Sequence, residues 1–86
     1  MKRVVQWGRP VKERGNEVRT SKCGRYRIVK RSMASSRNGC WNAKEYDPQK
    51  ANGSSWVRLT RFPYDRLGDA LDFIESDNDP NWEADD

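Results

Sequence analysis

Arginine alternates with apolar and aromatic residues in Arg25-Tyr-Arg-Ile-Val-Lys-Arg31 and again in Trp56-Val-Arg-Leu-Thr-Arg61. Guanidinium groups hold phosphate oxygens bidentately and aromatic rings offer stacking platforms. Arg25, Arg27, Lys30, Arg31, Arg58 and Arg61, interleaved with Tyr26, Trp41 and Trp56, therefore suit nucleic acid or another anionic surface. The plainer alternative is that these cations solvate the outer face of a one-sided sheet while the aromatics pack under a helix. A second set, Asp65, Asp69, Asp72, Ser76 and Asp79, repeats at helical spacing. Carboxylates about 5–6 Å apart resemble a row of phosphates, so this acidic face either imitates DNA towards a basic host protein or is a solvated surface partly neutralised by the chain's own arginines.

Catalytic chemistry finds less to work with. The chain has no histidine, no Walker-type loop and no Gly-x-Ser-x-Gly elbow. Cys23 stands between Lys22 and Gly24 with Arg25 near, a setting that lowers a thiol pKa, but no histidine exists to serve as its base. A structural zinc would need carboxylate ligands, an unusual choice. We expect no enzyme activity, no metal and no cofactor.

Those side chains have to be positioned by a small fold. With 34% hydrophobic and 35% charged residues in 86, the core must be thin and rest on the four Trp, three Tyr and two Phe. Val4, Val5 and Trp7 suggest a first strand over residues 1–7, ended by Gly8 and Pro10, with 11–15 a charged connection. Further strands are expected at 16–21, 25–31, 41–46 and 55–62, separated by polar loops at 32–40 and 47–55 that carry Asn38-Gly39 and Asn52-Gly53 turn signals. Alternation in the 25–31 strand places Tyr26 and Ile28 on one side and Arg25, Arg27, Val29 and Arg31 on the other. In the last strand it separates Trp56, Arg58, Thr60 and Phe62 from Val57, Leu59 and Arg61.

After Pro63 the period changes, and Leu67, Ala70, Leu71 and Ile74 form one face of a helix over 65–76 capped by Asp65. Asp72, Glu75 and Asp77 crowd its C-terminal end, where the helix dipole disfavours anions, so packing or cations from elsewhere must stabilise it. The fold class expected is α+β: an antiparallel sheet of three to four strands packed by one C-terminal helix, as a single domain over 1–78 followed by an acidic flexible tail over 79–86. Pairing of 25–31 with 41–46 places residue 31 opposite about residue 40. Cys23 then lies roughly 30 Å from Cys40 at about 3.3 Å per residue, and both are expected reduced beside Gly24 and Gly39.

Charge is divided unevenly along the chain. Residues 1–37 hold twelve Lys/Arg against two acids (net +10), residues 38–62 four against two (+2) and residues 63–86 one against nine (−8), which sums to the overall +4. The molecule is a dipole more than a cation. No apolar run reaches the roughly 18 residues of a membrane span and no secretory hydrophobic region follows Met1-Lys-Arg3, which points to a cytoplasmic protein.

Trp41-Asn-Ala-Lys-Glu-Tyr-Asp-Pro-Gln-Lys50, with Trp56, Leu59, Phe62 and Ala70, resembles the DNA-binding domains of plant ethylene-response factors and the arm-binding domains of phage-type integrases. That resemblance implies a three-stranded sheet in the major groove with a helix behind it. Cys23-Gly-Arg-Tyr-Arg-Ile28, a later Trp-x-x-Leu-x-x-Phe strand and an Ala-containing closing helix resemble small phage- and prophage-encoded accessory proteins, some of them anti-CRISPR proteins. This second resemblance implies stoichiometric binding. Two expectations follow: a non-enzymatic phage-type protein that binds and blocks a host nucleic acid-handling complex in the bacterial cytoplasm, or a direct DNA or RNA reader.

Overall fold

In a computed structural model the protein is described over residues 2–35 and 41–84, and for side chains over all of these except 33–35 and 41–43. Five strands and one helix follow in order: β1 (Val11–Glu13), β2 (Asn16–Thr20), β3 (Tyr26–Ser35), β4 (Trp41–Asn52), β5 (Ser55–Arg58) and α1 (Leu67–Asn78). The strands form one antiparallel meander in the order β1-β2-β3-β4-β5. The class is α+β as expected, but the sheet has five strands instead of three or four.

The additional strand comes from Val11–Glu13, read above as a charged connection. All three of its residues are exposed, so burial does not specify it. Its pairing with β2 is set by a two-residue turn in which Arg14 (φ 51°) and Gly15 (φ 81°) both have positive φ, the type I′ pattern whose twist matches antiparallel strands. Of the first strand expected over 1–7, the described residues 2–7 give only a single bridge, at Trp7–Ser21. They serve instead as a strap across the helix.

β4 is twice as long as expected because Asp47-Pro48 continues it. Pro48 has no N–H, but its carbonyl accepts from Leu59 N at 3.0 Å, so its polar edge points towards β5 just where that strand has ended. No ladder bond is lost there. The longer strand changes the register: Arg31 faces Glu45 where residue 40 was expected, and Ser35 faces Trp41. The β4–β5 turn centres on Gly53-Ser54, with Asn52 and Ser55 paired and Gly53 at φ 63°.

One face of the sheet carries the core. Tyr26, Ile28, Ala70 and Ile74 are buried there, with Val5, Trp7, Tyr46, Leu59, Tyr64, Leu67 and Leu71 packed around them. Each fully buried Ile or Leu contributes roughly 1.5–3 kcal/mol over an exposed one. The helix starts at Leu67, two residues later than expected, and Asp65 does not cap it. Tyr64 exchanges two backbone hydrogen bonds with Tyr46 (2.7 and 2.9 Å), which keeps the chain extended through Arg66, the N-cap, whose side chain makes no cap bond.

The anions at the helix end are met by partners from distant sequence. Glu75, only 1% exposed, accepts from the backbone N–H groups of Val4 and Val5, the latter at 2.6 Å. Arg3 pairs with Asp72 at 2.8 Å and Lys50 with Asp77 at 3.2 Å. Trp82, placed by sequence in a flexible tail, is 6% exposed, and its indole N–H donates to the Lys2 carbonyl at 3.0 Å. Strap, helix and the turn after Asp79 are thus held to one another.

Tyr26 extends this network, its hydroxyl donating to Asp77 at 2.7 Å. Burial first, and then the bond to the Asp77 carboxylate, pushes its pKa from 10.0 up to about 12. A folded-state value above the unfolded one means that the neutral phenol contributes stability fully below about pH 10 and loses it as pH rises towards 12. Unfolding free energy should therefore fall by roughly 1–2 kcal/mol over that window, discounted for water reaching Asp77, and fall less in Tyr26→Phe. Equal alkaline slopes for the two proteins, measured by urea melts, would contradict this placement.

Candidate nucleic-acid interface

The face of the sheet opposite the helix is built by strict alternation. Paired residues lie on the same side, so Val18–Val29–Asp47, Thr20–Arg27–Gln49–Arg58 and Ala51–Trp56 form rows across β2 to β5. No helix covers these rows. Arg27, Arg31 and Arg58 stand there with Trp56, whose ring lies 4.6 Å from the Arg27 guanidinium carbon.

A single buried carboxylate organises these cations. Asp47 is 0% exposed and accepts from Arg58 Nε at 3.1 Å, Arg31 Nη1 at 3.3 Å and Gln49 Nε2 at 2.9 Å. Gln49, also buried, turns its carbonyl oxygen to Arg27 Nε at 2.6 Å. Arg27 and Arg58 are thus anchored through Nε, and their terminal Nη groups make no other bond among the described residues. Side-chain exposures of 37% for Arg31 and 50% for Arg58 leave both accessible. A planar donor fork held at its base and open at its tip has already lost much of the entropy that a free arginine loses on binding phosphate.

Net charge on the face is modest. Arg14, Arg27, Arg31 and Arg58 stand against Glu13, Glu45 and Asp47, a balance of +1. Orientation of the arginines, more than total charge, sets this surface apart.

Of the residues singled out from sequence, Arg27, Arg31, Trp56 and Arg58 come together. Lys30 is turned to the other face, where its ammonium lies 3.9 Å from Glu17. Arg25 lies before β3, exposed, 5.7 Å from the centre of the Tyr26 ring, and Arg61 lies beyond β5, 6.0 Å from that of Phe62. The Trp41 side chain and Cys40 fall outside the described residues. Asp65 precedes the helix and Asp72 is bonded to Arg3, so the acidic ladder is interrupted; Asp65 and Asp69 remain exposed.

Asp47 and Gln49 were missed because Asp-Pro reads as a turn and aspartate is rare in strands. The polar alternation Glu45, Asp47, Gln49 around Tyr46 and Pro48 was the available signal. Cys23 is exposed, and its thiol pKa is lowered first by the Ser21 hydroxyl 3.3 Å away and next by a hydrogen bond from the Arg25 backbone. The charge of Arg25, expected from sequence to act on this thiol, contributes least.

No helix among the described residues is long and apolar enough to cross a membrane. Comparisons with protein-family models, with curated protein sequences and with solved structures found no match to this chain.

Proposed function

We propose that the protein works by binding, without catalysis, and that its open sheet face receives a nucleic acid strand along the phosphates. The observation that carries this reading is the anchoring of Arg27, Arg31 and Arg58 through Asp47 and Gln49 on a face that no helix or strand among the described residues covers, with Trp56 beside them. Sheets of this kind bind strands by pairing a cationic track with a planar group on which a base can stack.

Fluorescence anisotropy with one labelled oligonucleotide, single-stranded and as duplex, tests it. Three phosphates neutralised give a salt slope of about −2 for a single strand and about −3 for duplex, so affinity should fall roughly 20- to 40-fold between 50 and 200 mM salt. Arg27→Met, which keeps the three bonds to Asp47 and takes from Gln49 only the donor to its carbonyl oxygen, should flatten the slope by about one contact. No binding at 50 mM salt by either form would refute the reading.

Bipolarity favours a second reading, in which a phage-type accessory protein occupies a host nucleic acid-handling complex. Exposed Asp65 and Asp69 lie at the start of the helix, near residues that pack on the opposite side of the sheet from the arginines. Under that reading Asp65→Lys with Asp69→Lys abolishes co-purification of such a complex and leaves oligonucleotide binding unchanged.

A further inference from the structure

We propose that a bowl at the β1–β2 end of the open face is a site for one nucleotide bearing a phosphomonoester, whether the 5′-phosphorylated end of a strand or a free mononucleotide. The proposal rests on the nucleic acid reading above and deepens it. The bowl has a volume of about 370 Å³, within the range of small-molecule pockets. Beneath it Val18 and Val29 lie side by side across β2 and β3 but are only 5% exposed each, so the surface open to a ligand is mainly polar.

Charge at the rim selects the phosphate. Arg14, Arg27 and Arg31 line the bowl with Glu13 as the one acid, a balance of +2 that the Asp47 beneath does not change, since Arg31 shares that carboxylate with Arg58 outside the bowl. A phosphomonoester carries about −1.5 to −2 at pH 7 and a diester linkage about −1, so a terminal phosphate is the better complement. Asn16, also on the rim, brings both a donor and an acceptor to the edge of a base.

Arg14 supplies an independent sign. It occupies a left-handed position in the β1–β2 turn, where asparagine, aspartate or glycine is the low-strain choice. Strain of this kind gathers at ligand sites, and here it places a guanidinium on the lip of the bowl.

The test compares one oligonucleotide carrying a 5′-phosphate with its 5′-hydroxyl counterpart at 50 mM salt, with AMP and inorganic phosphate as competitors. The 5′-phosphate form should bind about tenfold more tightly, the ratio expected for one additional charge-assisted contact. AMP should compete, and phosphate alone should compete less because it makes no contact with Asn16. Arg14→Asn should melt at or above the wild-type temperature, since asparagine suits the turn, while most of the preference for the 5′-phosphate disappears.

Equal binding of the two ends, with the expected salt dependence, would overturn the bowl and leave the sheet-face reading standing. Retention of the full preference in Arg14→Asn would also overturn it. Should AMP bind and neither oligonucleotide do so, the ligand is the free mononucleotide and the extended-strand reading falls alone. Binding by none of them overturns both.

Discussion

A variant carrying Arg31→Gln and Arg58→Gln is expected to lose about 3–5 kcal/mol of stability, and adding Asp47→Asn is expected to return much of that loss. The argument turns on which side of the cluster is dry. Asp47 is fully buried, whereas Arg31 and Arg58 keep 37% and 50% of their side-chain surface. Removing the arginines leaves a charge without solvent or counterion, but removing the carboxylate leaves two cations that water can reach. Asp47→Asn alone should therefore cost less, about 1–3 kcal/mol, chiefly through weakened bonds from the arginines and Gln49. Urea melts of the three variants decide the order. If the single carboxylate substitution were the most damaging, Asp47 would be acting by shape and not by charge. The same order protects the binding test, because loss of affinity in the double variant would report unfolding unless Asp47 were neutralised with it.

Glu75→Ala should destabilise by about 2–4 kcal/mol, since it removes a buried acceptor and leaves the part-buried N–H groups of Val4 and Val5 without it. For a domain of this size that is a fall in Tm on the order of 10–25 °C. Glu75→Gln keeps an acceptor oxygen and should lose less. Because Trp82 is bonded to the Lys2 carbonyl and Trp7 packs on the core, release of the strap should also shift tryptophan fluorescence to the red and open residues 2–7 to proteolysis. Unchanged fluorescence together with an unchanged melt would show that the strap is not held by this carboxylate. A strap that stays attached also keeps Arg3 on Asp72, which removes one carboxylate from the helix surface and weakens the likeness of that surface to a row of phosphates.

Side-chain period made two things legible before any coordinates: the helix face Leu67, Ala70, Leu71, Ile74 and the division of β3 into Tyr26 and Ile28 against Arg27, Val29 and Arg31. Both follow from backbone geometry, which assigns residues to faces without reference to the rest of the molecule. The crowded anions of the helix were legible as a problem, because a dipole and its neighbours suffice to pose it. Their partners were not, since Arg3, Lys50 and the strap N–H groups lie tens of residues away and only the folded chain brings them near. Register likewise escaped: whether Asp47-Pro48 turns or continues depends on where β5 stops, and that is a property of the neighbouring strand. So the list of arginines belonged to the primary structure, while the buried Asp47 and Gln49 that together aim three of them, and the bowl edged by β1 and the strained Arg14, came into being only when non-adjacent strands were laid side by side. Hydrogen bonds and apolar contacts between residues far apart in the chain carry no local signature, and those are the interactions from which this surface is made.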